Sequence, residues 1–392
     1  MHAHRPLPRH TAHTTARTLR RHSSGFTLVE LMVGVTLALI TTVIVAQVML
    51  NSEGNRRTTT QGSDAQVNGA LALYTVQRDL QMAGYGVVNN PAALGCEVRG
   101  QYGANAARTF TLAPVVITAG ATANASDSVT ILRSGSTRVA LPIVTTGNHE
   151  EAAQAFEVQS TVGIAAGDMV LAMPELPSST SWCTLFQVRA DGANVLDGTR
   201  IPHATADNTW NPSTSIMPTT YAAGTTLSNV SRLVYRRYEV NADGDLQAVD
   251  LITANDVPAT STVASQVVLM KAYYGKDTDS DGVVDSYDQT TPTTNAGWRQ
   301  VRTVRIAVVA RSAQREKEAV TTADPQWDVG KTVAVSGSAT CGASKCLTLQ
   351  VSPTAVAPQA GVDAAPADTE WQHHRYKVFD TVTPLRNMLW AN

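Results

Sequence analysis

The sequence predicts an α+β protein in which one long N-terminal helix precedes a large β-rich head. Two observations carry this: an unbroken apolar run from Phe26 to Leu50, and, from residue 105 onward, short Val/Ile/Thr/Tyr-rich runs punctuated by Gly, Pro, Asn and Asp. The chain of 392 residues, 43% hydrophobic and 16% charged, is long enough and apolar enough to bury a core, so it is neither disordered nor fibrous.

The apolar run FTLVELMVGVTLALITTVIVAQVML has only Glu30 and Gln47 as strongly polar members. As a helix it would be roughly 37 Å long, enough to cross a bilayer. Every Arg of the first 25 residues (Arg5, Arg9, Arg17, Arg20, Arg21) lies before it, and no acid does. The positive-inside rule then keeps the N-terminus cytoplasmic and sends the remainder outward. An ordinary secretory signal has a shorter apolar run with a small-residue cut after it. Here the Ser23-Ser24-Gly25-Phe26 junction comes before the run. A carboxylate inside hydrocarbon costs a few kcal/mol, about 3 on insertion scales, so Glu30 requires a cationic partner.

After Leu50 the chain turns polar and then recovers a helical period, with Val67, Leu71 and Tyr74 on one face and Leu73, Val76 and Leu80 beside it, to about Met82. Gly84, Gly86 and Pro91 are stop signals. Gly54, Gly62 and Gly69 each weaken a helix by up to about 1 kcal/mol, so residues 51–62 are expected to act as a hinge. The division is therefore 1–25 leader, 26–50 membrane helix, 51–86 its continuation, and 87–392 head.

Within the head the clearest strand runs are 108–117, 128–133, 138–144, 184–190, 230–240 and 302–310, while 200–228 and 353–369 have loop composition. With the leader set aside, 25 basic residues face 32 acids, an unfavourable balance for nucleic acid; Arg232, Arg236 and Arg237 are the one basic patch to examine. The four cysteines, outside the cytosol, point to disulfides: a local Cys341–Cys346 bridge, with Cys96–Cys183 as the remaining pair.

One segment suggests metal chemistry. Residues 277–288, DTDSDGVVDSYD, fit the twelve-residue calcium loop except that Asp288 stands where Glu is usual. In that geometry Asp277, Asp279 and Asp281 supply side-chain oxygens, Gly282 the sharp turn, Val283 its carbonyl, Asp285 a direct or water-bridged ligand and Asp288 the closing carboxylate. The bland reading is a solvated acidic turn. Calcium is the only cofactor expected. His149-Glu150-Glu151 lacks the second His of a zinc protease helix, His373-His374 is expected on a strand surface, and no P-loop, G-x-S-x-G or dinucleotide fingerprint occurs, so no enzyme is expected.

Gly25-Phe26-Thr27-Leu28-Val29-Glu30 resembles the processing site shared by type IV pilins and type II secretion pseudopilins. The resemblance implies a pilin-like fold, cleavage after Gly25 by a prepilin peptidase, N-methylation of Phe26, and a pairing in assembly between Glu30 and the Phe26 amine of a neighbouring subunit. A narrower resemblance rests on Tyr74-Thr75-Val76-Gln77-Arg78-Asp79-Leu80-Gln81-Met82-Ala83-Gly84-Tyr85, the Tyr-Gly-x-Asp run at 274 and Pro384-Leu385-Arg386-Asn387-Met388. These blocks are similar to the PilW family of minor pilins. That likeness implies a non-enzymatic subunit held in the inner membrane with a periplasmic head, then carried to the pilus. Its implied partners are the major pilin, other minor pilins and the inner-membrane assembly platform. As bare physics, Arg78 and Asp79 equally suit a solvated helix face. A secretion pseudopilin and a pilus-tip adhesin or DNA-capture module remain the alternatives.

Overall fold

The computed structural model describes residues 25–136, 141–189, 196–203, 209–211, 216–353 and 369–389; within the helix, the side chains of 50, 51 and 53–62 are outside the description. The leader up to residue 24 and almost all of the loop expected at 353–369 therefore lie outside the described residues. The chain forms two compact units, Met1–Thr59 and Thr60–Asn392.

The long helix spans Leu28–Met82. Residues 51–62, expected as a hinge, carry helical backbone. In the second unit the helix buries Ala65, Ala72, Val76, Leu80 and then Ala83, an i, i+4 stripe. Of the two expected faces, Val76 and Leu80 are fully buried and Leu73 packs against the core, while Val67, Leu71 and Tyr74 are exposed, at 61%, 46% and 63%. Small residues win the contact because they let the helix approach the sheet closely: a Cβ at Gly69 would collide with the ring of Phe379. Gly69 is thus a packing residue rather than a weak point. Gly84 and Gly86, at φ +81° and +70°, end the helix in the left-handed region that L side chains resist.

Three main sheets follow. The first runs in the order Arg108–Thr111, Glu97–Gly100, Cys183–Gln187, Met169–Met173, Thr226–Ser231, Pro142–Val144. The second runs Ala259–Ser265, Asp245–Asp250, Leu233–Val240, Ser128–Ser134, Val115–Thr118, and the third Ala334–Val335, Ser286–Asp288, Val267–Lys276, Val301–Arg311, Tyr376–Pro384. The expected strand 108–117 is two, because Leu112, Ala113 and Pro114 carry the chain from the first sheet to the second and Pro114 has no amide to donate.

One core joins the helix stripe to inward residues of all three sheets. In Val301–Arg311 the side chains alternate, with Val304, Ile306 and Val308 facing that core, while Ala307 and Val309 face a second core that includes Trp327 and Leu347 of a small three-stranded sheet. Burial on both faces explains why its stretch from Ile306 to Ala310 is continuously apolar. A third cluster, around Phe156, Phe186, Ile201 and Tyr221, draws on the stretch 200–228, expected as loop. Its described parts hold strands Arg200–Pro202, Thr220–Tyr221 and Thr226–Ser231.

Both cysteine pairs are bonded, Cys96 to Cys183 and Cys341 to Cys346, closing separations of 87 and 5 residues. Loop-closure entropy gives about 4.6 kcal/mol for the long bridge and about 2 for the short one. Reduction should therefore lower the midpoint of unfolding mainly through the long bridge. Urea melts of Cys96→Ala/Cys183→Ala and Cys341→Ala/Cys346→Ala should separate by about 2 kcal/mol or more.

Candidate functional site

Three places in the fold hold side chains whose arrangement calls for explanation. At the N-terminus, the Glu30 amide donates to Thr27 Oγ1 at 3.2 Å and the Leu31 amide to the Thr27 carbonyl at 3.1 Å, so Thr27 caps the long helix and Glu30 sits three residues in. From Leu28 to Met49, 22 residues suit a membrane span by length and composition, and none is buried within the chain. Thr36, Thr41 and Thr42 return their hydroxyls to carbonyls three or four residues back, which leaves no hydroxyl donor facing an apolar surrounding. Gly25 and Phe26 precede the helix, and Phe26 is 81% exposed. The first turn therefore presents an accessible Gly-Phe junction and one carboxylate on an otherwise apolar rod.

The second place is the end of the helix. Asp79, open to solvent at only 9%, accepts from the Tyr238 hydroxyl at 2.7 Å and from Arg236 Nη1 at 3.1 Å, with Arg133 Nη2 at 3.4 Å. Arg236 also grips Asp250 through two bonds, at 2.7 and 3.1 Å. Burial, followed by the charge of Asp79, pushes the Tyr238 hydroxyl well above its usual pKa, so it remains a donor. One turn on, Asn387 Nδ2 donates to the Ala83 carbonyl at 2.9 Å, and Leu385 and Met388 beside it are fully buried. The helix block around Asp79 and the C-terminal block around Asn387 are thus neighbours in the head, and Asp79 is no solvated face. Of Arg232, Arg236 and Arg237, two are paired, Arg236 with Asp79 and Asp250 and Arg237 with Glu239, whose carboxylate lies 2.7 Å from its Nε.

The third place is the loop between strands Val267–Lys276 and Ser286–Asp288. It brings together Asp277, Asp279 and Asp285, each offering an oxygen within 4.8 Å of the others. Gly282 makes the sharp turn at φ +90°. Two members of the expected ligand set are engaged elsewhere: Asp281 Oδ1 accepts the Val283 amide at 2.7 Å, and Asp288 Oδ1 pairs with Lys276 Nζ at 2.7 Å. The Val283 side chain is exposed.

The histidines also depart from expectation. His373 and His374 sit at a short 3-10 turn, not on a strand, and bond the carbonyls of Glu316 and Ser312 at 3.0 and 2.9 Å. His149, which stood alone in sequence, meets His203 Nε2 to Nε2 at 2.7 Å in a buried aromatic cluster. A partner 54 residues away leaves no local signal.

Comparison with known proteins touches all three places. The family described as Type IV Pilus-assembly protein W matches residues 220–387, and the prokaryotic N-terminal methylation motif matches 20–46. Among solved structures, the type IV-like pilin TTHA1219 from Thermus thermophilus is similar at 11% identity over 81% of this chain and 94% of that one, with a TM-score of 0.30. No curated protein matches.

Proposed function

We propose that this chain, a type IV pilin-like protein of the PilW type, is a non-enzymatic minor pilin that primes or joins pilus assembly from the inner membrane. The observation that carries the reading is the bare apolar helix Leu28–Met49 with Glu30 as its one acidic residue, directly behind Gly25-Phe26. A bilayer covers such a rod before assembly, and neighbouring helices cover it afterwards. A prepilin peptidase cut after Gly25 would free the Phe26 amine as a cation for the Glu30 of a neighbouring subunit. Breaking a buried pair of this kind by removing one partner costs about 3–5 kcal/mol, which would make Glu30 a strict requirement for entry into a filament of major and minor pilins. The assembly platform would act on the membrane helix, and the head would supply contacts specific to this subunit.

The test is a deletion strain of the source organism, scored for surface pili and for secreted exoenzyme activity, and complemented with the wild-type or Glu30→Leu chain. Pili should disappear on deletion, with secretion intact. The wild-type copy should restore them, and Glu30→Leu should not, although that variant still accumulates in the membrane. Normal pili with lost secretion would place the chain among secretion pseudopilins and refute the pilus role.

A further inference from the structure

Asp277 ends the strand Val267–Lys276 with its side chain fully buried. Its Oδ2 is accounted for, accepting from Arg302 Nε and from the Gly282 amide, both at 3.1 Å. Its Oδ1 is buried with no hydrogen-bond partner among the described residues. An unsatisfied buried acceptor costs about 1–3 kcal/mol, and more when charged, so a fold that keeps one has a use for it. Beside it stand Asp279 and Asp285, with one oxygen from each of the three carboxylates inside a 4.8 Å span.

That span has a chemical meaning. Oxygens bound to one calcium ion each lie about 2.3–2.6 Å from it, so two of them are at most about 5 Å apart. The loop is already shaped for this without metal. Asp285 Oδ2 is held by the Thr278 amide and hydroxyl, both at 2.6 Å, which brings the far end of the loop back to its start. The neighbouring cations do not neutralise the cluster, because Lys276 is spent on Asp288 and Arg302 reaches only Asp277.

We propose that Asp277, Asp279 and Asp285 hold a calcium ion, with Asp277 Oδ1 as the buried anchor. The ligand set is not that of the twelve-residue loop that the spacing suggests: Asp288 is the partner of Lys276, and Asp281 lies outside the group of three oxygens, although Asp279 Oδ1 accepts the Asp281 amide at 3.1 Å much as Asp281 Oδ1 accepts that of Val283. An all-oxygen set of three carboxylates completed by water suits a large, flexible cation better than magnesium, which demands a tight octahedron. Because Asp277 is tied to Arg302 on the adjacent strand Val301–Arg311, the ion would clamp the loop onto the third sheet, independently of the role proposed for the membrane helix.

The test uses the full chain in detergent, stripped with chelator and titrated by calorimetry with calcium chloride alone, then with magnesium chloride. One equivalent of calcium should bind with a dissociation constant on the order of 10⁻⁴–10⁻³ M, the range of extracellular modules, and 10 mM calcium should raise the melting temperature. Asp279→Asn/Asp285→Asn, both exposed and so expected to fold as judged by circular dichroism, should weaken binding at least tenfold, while Asp288→Asn should stay within threefold of wild type. Absence of binding heat together with an unmoved melting temperature would overturn the proposal. Loss of binding in Asp288→Asn, or its retention in the double variant, would overturn this assignment of ligands.

Discussion

Asp79→Ala should cost the chain about 3–5 kcal/mol, the largest single-residue effect expected outside the disulfides. Removing the carboxylate takes three partners from one buried point: the Tyr238 hydroxyl at 2.7 Å, Arg236 at 3.1 Å and Arg133 at 3.4 Å. Arg236 retains Asp250, so its charge stays compensated. Arg133 does not fare so well, because its Nε is already buried without a partner and its nearest carboxylate is Asp79. Tyr238 is fully buried, and its hydroxyl would lose its acceptor. Asp79→Asn, which keeps an acceptor for Tyr238 but no charge for the arginines, should fall between wild type and Ala. Urea unfolding of the detergent-solubilised chain gives the midpoints, and a cycle with Arg133→Met isolates the coupling. A change under 1 kcal/mol for Asp79→Ala would mean that apolar packing alone seats the helix end.

Asp79 also marks where sequence reading stops. Its three partners stand 54, 157 and 159 residues away, so nothing in the local pattern distinguished a buried anchor from a solvated Arg78-Asp79 face. The helix stripe was legible only in part: Val76 and Leu80 are buried, while Val67, Leu71 and Tyr74 are not. Hydrophobic periodicity gives weight to large residues, so it marks Val76 and Leu80 but passes over Ala65, Gly69 and Ala72, the small members of the same buried stripe. What was legible was local: the Gly25-Phe26 junction with Glu30 four residues on, the glycines that end the helix, and the five-residue spacing of Cys341 and Cys346. The acidic loop falls between these cases. Its spacing identified Asp277, Asp279 and Asp285, but Lys276, one position outside the motif, takes Asp288 out of the cluster.

Acidification should destabilise the head through His149 and His203, beginning near pH 6.5. Both rings are buried, His149 stacked on Phe156 and His203 tilted against Phe156 and edge-on to Phe186, and they are bonded to each other Nε2 to Nε2, so each is held neutral. Burial lowers His149 to about 4 despite the opposing pull of the nearby Glu150 carboxylate. Burial first, and then the charge His149 would carry, lowers His203 to about 3. In the unfolded chain both titrate near their ordinary value of about 6.5. Below that pH the unfolded state takes up protons that the folded state refuses, so stability is complete above pH 6.5 and is lost as pH falls toward the folded values. Each histidine contributes a slope of up to about 1.4 kcal/mol per pH unit, so His149 alone accounts for roughly 3 kcal/mol between pH 6.5 and 4. Melting temperatures recorded from pH 7.5 to 4 should fall steeply for the wild type. In His149→Gln/His203→Gln the curve should start lower, for loss of aromatic packing, but run flatter across the same window. Parallel curves would mean that the acid sensitivity does not arise from the histidine pair.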